Sequence, residues 1–179
     1  MKKENETYFT TRAFDKVGRG QHRHCGPTAI TNAVFSLSDT PKEKAEEVYR
    51  DIAKIGQRRL IFYNFDFLSF GGTVDFLSPA YLRQIMKHFH LDDVRVHKRQ
   101  KLSKEGLIRA LRRGSIIYLQ FRHHQRYENH HTLVYECIDY GDDVLFKIAD
   151  GWSQKPVYLS YEQLGKGYMI EIEDTSKNQ

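Results

Sequence analysis

The stretch Gly18–Val34, GRGQHRHCGPTAITNAV, decides how this chain is read. It carries Cys25, one of only two cysteines, where polar, glycine-bearing sequence turns apolar. Ala29, Ile30, Ala33, Val34 and Leu37 recur at helical spacing, which predicts a helix opening at Gly26 and closing near Ser38-Asp39. Pro27 suits the first turn, where its missing N–H costs nothing. A helix start carries unsatisfied N–H groups and about half a positive charge. A thiolate is stabilised there, so Cys25 is placed as a nucleophile, with its pKa expected below the usual value of about 8.5. Its backbone N–H is expected to face the oxyanion formed on an attacked carbonyl. Gln21 offers its side-chain amide as a second donor.

Outward from this helix, Thr40-Pro41 opens a second one, with Ala45, Val48, Ile52 and Ile55 on one face and Gly56 as its stop. The aromatic segment Ile61–Leu77 closes on Gly71-Gly72 and reads as a loop with short strands, serving as core or as one wall of a groove. Ser78-Pro79 starts a third helix, and Ser103 caps a fourth that stops at Gly114. SIIYLQF is a continuous apolar strand. HTLVYECIDY and VLFKIAD, joined at Gly141-Asp142-Asp143, read as a β-hairpin. PVYL and YMIEIE add strands around a helical turn begun at Ser160. Helices first and antiparallel strands last predict an α+β fold, a helical half packed on a sheet half. Residues 1–17 read as an irregular arm, and 18–179 as a single domain.

A nucleophilic cysteine needs a base and a group that orients the base. His131 opens an apolar strand after a polar loop and is the candidate base. Asp150 closes the paired strand. The turn at Gly141–Asp143 lies nearly midway between them, so folding it back predicts cross-strand neighbours in hydrogen-bonding reach. His130 is the rival base. A strand alternates its faces, and the apolar run that starts after His131 favours His131. Cys137 sits mid-strand and reads as structural.

The chain has 179 residues, 40% of them apolar, with 11 Tyr and 11 Phe, enough for a sizeable core. Its net charge of +5 is spread along the sequence, which argues against a nucleic acid partner. No run approaches the roughly 18 apolar residues of a membrane span, and no apolar signal-peptide core follows the first lysines. A cytoplasmic setting follows as the expectation. His22, His24 and Cys25 with His123, His124 or His130 invite a zinc reading. HExxH and CxxC are both missing, so neither a metal nor another cofactor is expected. His22 and His24 instead read as cleft-edge residues that tune the thiol.

Cys25-Gly26-Pro27-Thr28-Ala29 at a helix start, a later His before an apolar strand and an Asp closing the next strand resemble the papain-like cysteine peptidases. The closer resemblance is to the branch that processes bacteriocin leaders, the double-glycine peptidases and their stand-alone relatives, which share the order Gln, Cys, His, Asp. GLIRALRRGSIIYLQF before the His and DGWSQKPVYLSYEQL after the Asp are similar to that branch too. The spacing departs from it at two points. Gln21 stands four residues before Cys25 where the family usually has about six, and Gly151 stands where a proline is common. The resemblance implies a papain-like fold and a peptide- or amide-cleaving triad of Cys25, His131 and Asp150, with Gln21 and the Cys25 amide as the oxyanion hole and no cofactor. It implies a peptide or protein substrate, with small residues such as glycine before the cut bond. An acyl transferase on the same scaffold and a catalytically silent peptide-binding relative remain the alternatives.

Overall fold

The structure, a computed structural model, describes residues 8–15, 23–65 and 70–178. Its helices are α1 (Cys25–Leu37), α2 (Ala45–Arg58), α3 (Ser78–His88), α4 (Lys104–Arg112) and α5 (Tyr161–Leu164). Its strands are β1 (Phe62–Phe65), β2 (Phe70–Thr73), β3 (Val94–Val96), β4 (Gln100–Lys101), β5 (Ile116–Phe121), β6 (His131–Tyr140), β7 (Asp143–Ala149), β8 (Val157–Ser160) and β9 (Gly167–Asp174). The order of α1, α2, α3 and α4 and of the last four strands follows the sequence expectation. The aromatic segment supplies the β1–β2 hairpin, which pairs as a small sheet of its own.

The main sheet runs β3-β9-β5-β6-β7-β8 and is antiparallel throughout, with β4 also paired to β9. β5 lies at its centre, buried along its whole length, which explains its unbroken apolar sequence. Alternation sends its side chains to two cores. Tyr118 joins Ile30, Val34, Tyr49, Ile52, Leu82 and Leu133 under α1, α2 and α3. Ile117 and Leu119 join Leu107, Leu111, Val134 and Phe146 under α4. Burying a side chain such as Ile52 or Leu107 in these layers contributes about 1.5–3 kcal/mol.

The start of the chain is tied across α1. Asn32 of α1 is buried; its Oδ1 accepts from the Phe9 N–H at 2.9 Å and its Nδ2 donates to the Phe9 carbonyl at 2.8 Å. Thr11 N–H donates to the Gly151 carbonyl at 2.8 Å, and Phe14 stacks on Tyr49. Residues 8–15 thus bridge α1 and the turn after β7. Among the described residues no helix is long and apolar enough to cross a membrane.

Candidate active site

Cys25 is the first residue of α1, and the residue before it leaves the helix end open. The His24 side chain accepts no hydrogen bond from the helix start. Its buried ring is held instead between the Tyr49 hydroxyl, 2.9 Å from Nδ1, and Asp15 Oδ1, 3.2 Å from Nε2. The first N–H groups of α1 therefore stay available to an oxyanion. Cys25 and Cys137 are both free thiols.

His131 starts β6 opposite Gln120 of β5, on the sheet face that α1 covers. A Cβ placed on Gly26 would lie 3.0 Å from His131 Nδ1 and would overlap Thr73 of β2. Gly26 is what lets α1, β2 and the imidazole meet this closely. Nε2 of His131 lies 2.9 Å from Asp75 Oδ1, and Nδ1 lies 2.7 Å from the Tyr118 hydroxyl. A carboxylate only accepts, so Nε2–H donates to Asp75, and Nδ1 of the neutral ring accepts from Tyr118. Nδ1, the side facing α1, carries the basic lone pair.

Asp75 opens a short 3-10 turn, Asp75–Leu77, between β2 and α3. Besides His131, two neighbours hold it. Arg122 reaches its Oδ2 at 3.0 Å. Buried Gln120 donates from Nε2 to the Asp75 carbonyl at 3.1 Å and to Ser78 Oγ at 2.8 Å. Gln120 is itself held through Oε1 by Arg99 Nε at 2.7 Å. Burial pushes the Asp75 carboxyl up, but the hydrogen bond and charge of His131, with Arg122 and Arg99, outweigh it and hold it below its ordinary value.

Asp150 is not the partner of His131. Its Oδ1 accepts from the Trp152 and Ser153 N–H groups at 2.9 and 2.8 Å, and its Oδ2 accepts from the Tyr127 hydroxyl at 3.2 Å. Its carbonyl faces His130 Nε2 at 2.6 Å. The cause is a β-bulge. From the turn, β6 and β7 pair Tyr140 with Asp143 through Glu136 with Lys147, and then the register shifts between Val134 and Glu136. Beyond the shift Leu133 faces Ala149, which sets Asp150 opposite Thr132. Without the extra residue Asp150 would share the face of His131; a slip of one residue sends it to the other face. Gly151 then turns the chain at φ +74°, a conformation closed to the proline common in the resembled family.

Tyr118, Gln120 and Asp75 are site residues that the sequence reading missed. A signal for two of them exists: Tyr118 and Gln120 are the polar-tipped residues at i, i+2 in the otherwise apolar Ile116–Phe121 run, hence on one face. Gln21 lies outside the described residues. His130 is buried beside Tyr127 and Trp152, with ring centroids 5.7 and 5.0 Å away. Burial lowers its pKa to about 4.

These groups border a cleft of about 700 Å³. Cys25, Thr73, Asp75 and His131 line one part, and Tyr127 and the half-exposed Trp152 another. Burial pushes the Cys25 thiol above its ordinary value; the amides of His131, Gly26 and Cys25 pull against it, and Asp75 adds to the rise. The lowered pKa expected from the helix start is therefore reversed, and the neutral thiol is the resting form. Burial, with the nearby Cys25, also pushes Tyr118 well above its ordinary value, so its hydroxyl keeps its proton. Among the described residues no three His, Cys, Asp or Glu side chains gather as a metal site requires.

The chain is similar in structure to the peptidase domain of Streptococcus ComA, a bifunctional ABC transporter involved in quorum sensing. The TM-score is 0.55 at 13% sequence identity, covering 94% of this chain and 98% of that domain. The sequence matches no family model and no curated protein. At that identity the likeness is one of fold: helices on an antiparallel sheet in the papain-like peptidase arrangement.

Proposed function

We propose that the protein is a papain-like cysteine hydrolase that cleaves a peptide or other amide bond, with Cys25 as nucleophile and His131 as base. One observation carries this reading. His131 presents Nδ1 to the start of α1 while Asp75 holds Nε2. Asp75 is proposed as the orienting carboxylate, and Asp150 as the residue that shapes the Tyr127–Trp152 wall.

The reaction begins from the neutral thiol. The Tyr118 hydroxyl leaves Nδ1, the Cys25 S–H proton passes to Nδ1, and Sγ bonds to the substrate carbonyl carbon as its π electrons move to oxygen. The Cys25 N–H, with the side chain of Gln21, receives that oxyanion. Collapse breaks the C–N bond, and the amine departs with the proton from Nδ1. Water, deprotonated by Nδ1, then attacks the thioester and releases the acid and the thiol. Asp75 fixes the ring through both halves. The substrate is a peptide or protein chain lying in the cleft. The cytoplasm, where Cys25 and Cys137 stay reduced, is the proposed setting.

A defined peptide mixture incubated with the protein and read by mass spectrometry tests this reading. Cleavage that falls by about 10³-fold or more in both Cys25→Ala and His131→Ala is the expected result. Cleavage that survives Cys25→Ala overturns it. So does an absence of cleavage together with iodoacetamide labelling of Cys25 whose pH profile is the same with and without His131.

A further inference from the structure

The cations of this chain are scattered in sequence, yet the fold gathers five of them. Arg83 of α3, Arg95 of β3, Lys98 in the connection to β4, Arg109 of α4 and Arg113 at its end line one concavity of about 720 Å³, together with Glu171 of β9. It forms at the β3 edge of the sheet, beside α4. Glu171 and Glu173 point to the α4 side, since Ile170 and Ile172, which alternate with them along β9, enter the opposite core.

The carboxylates nearby are already engaged. Glu171 Oε1 accepts from Arg113 at 2.8 Å and from Ser115 Oγ at 2.8 Å. Glu173 accepts from His97 at 2.8 Å. Arg83 spends its Nε on the Val96 carbonyl at 3.3 Å. Among the described residues Arg95, Lys98 and Arg109 form no ion pair, and all three are exposed. Five fixed cations against two carboxylates leave an excess of three, more than half of the chain's formal +5.

We propose that this concavity binds a compact ligand carrying two or more phosphoryl groups. The cations repel one another across a short span, over which salt screens only partly (about 8 Å at physiological strength). A multiply charged anion relieves that repulsion at several points at once. Guanidinium forks match phosphoryl oxygens two at a time, and three or four such forks face the same space. The volume falls within the usual range of small-molecule sites, about 300–1,000 Å³. The cations converge on one hollow; a nucleic acid backbone wants a stripe to track along. The site wraps the β3 edge of the sheet and shares no lining residue with the cleft of Cys25 and His131, so it does not depend on the proposed hydrolysis.

The test is calorimetric titration of the full chain with inorganic tripolyphosphate at about 0.15 M salt. The variants are Arg95→Ala/Arg109→Ala and, as a control of equal charge change elsewhere, Lys42→Ala/Lys44→Ala. Saturable binding weakened about tenfold or more in the first pair and unchanged in the second is expected. Lys98→Glu, on a connecting loop, repeats the test should the first pair fold poorly. Three results overturn the proposal: no saturable heat, equal weakening in both pairs, or far tighter binding of a single-stranded oligonucleotide that is lost in the same variants.

Discussion

His131 is a ring with two claims on it, and the two claims predict opposite variants. Asp75 holds Nε2 at 2.9 Å, so Asp75→Asn loses the charge that keeps the tautomer and is expected to cut peptide cleavage by about 10²-fold or more. Asp150→Asn leaves an oxygen for the Trp152 and Ser153 amides and faces away from His131. It is expected to change cleavage less than about threefold while lowering stability by about 1 kcal/mol. Measuring kcat/KM and Tm for both variants decides the matter, and the reverse ranking would return the orienting role to Asp150. Tyr118 holds the other nitrogen at 2.7 Å and competes with the thiol for the lone pair. Tyr118→Phe removes the competitor at nearly constant volume. Iodoacetamide is then expected to label Cys25 several-fold faster near pH 7 in Tyr118→Phe than in wild type, and the gain is expected to vanish when His131→Ala is added. Equal rates would mean that Tyr118 only packs.

Among the elements, the start of α1 is the point where three pieces converge, and Gly26 sets their distance. A methyl there overlaps Thr73 of β2 and sits 3.0 Å from His131 Nδ1. Gly26→Ala is expected to push β2 and the ring off α1, costing about 1–3 kcal/mol by urea unfolding and abolishing cleavage; full activity would show that α1 is not the site's wall. The same elements show what can be read before folding. α1 was legible from period, Pro27 and the polar-to-apolar switch, and the hairpin of β6 and β7 from its turn and apolar runs. The partner of His131 was not. Regular pairing would set Asp150 on the face of His131, but Val134–Glu136 holds one residue too many. Nothing in the LVYEC sequence announces that bulge, and one residue inverts every face beyond it. The carboxylate that did arrive comes from Asp75, within the segment read only as core or groove wall.

Across the whole molecule, long-range placement is the part sequence hides. The charges that meet at the β3 edge come from α3, β3, a loop and α4, none of them adjacent enough to read as a patch. Asp75 and His131 lie farther apart still, 56 residues along the chain. What long-range packing does to titration can be measured on the fold as a unit. His130 is buried against Tyr127 and Trp152, and burial holds its pKa to about 4, against an ordinary value near 6.5. The unfolded chain therefore takes up that proton at about pH 6.5 and the folded chain only near pH 4. In that window protons favour unfolding, so His130's contribution is complete above pH 6.5 and declines as the pH falls, by an amount of order 3 kcal/mol. Asp75 and Glu171 act with the same sign lower down. In both carboxyls burial raises the pKa, and their basic and hydrogen-bonding partners outweigh it, so the net shift is downward. Their contribution is present above about pH 4 and is lost below it. Urea unfolding of wild type and His130→Gln separates the two steps. Gln keeps a donor for the Asp150 carbonyl but has nothing to titrate. Wild type is expected to lose most of its His130-linked stability between pH 6.5 and 4 and the variant to stay nearly level there, while both fall together below pH 4. Parallel curves from pH 7 to 4 would mean that His130 takes its proton in the folded state at the ordinary pH, and that water reaches the Tyr127–Trp152 wall from behind.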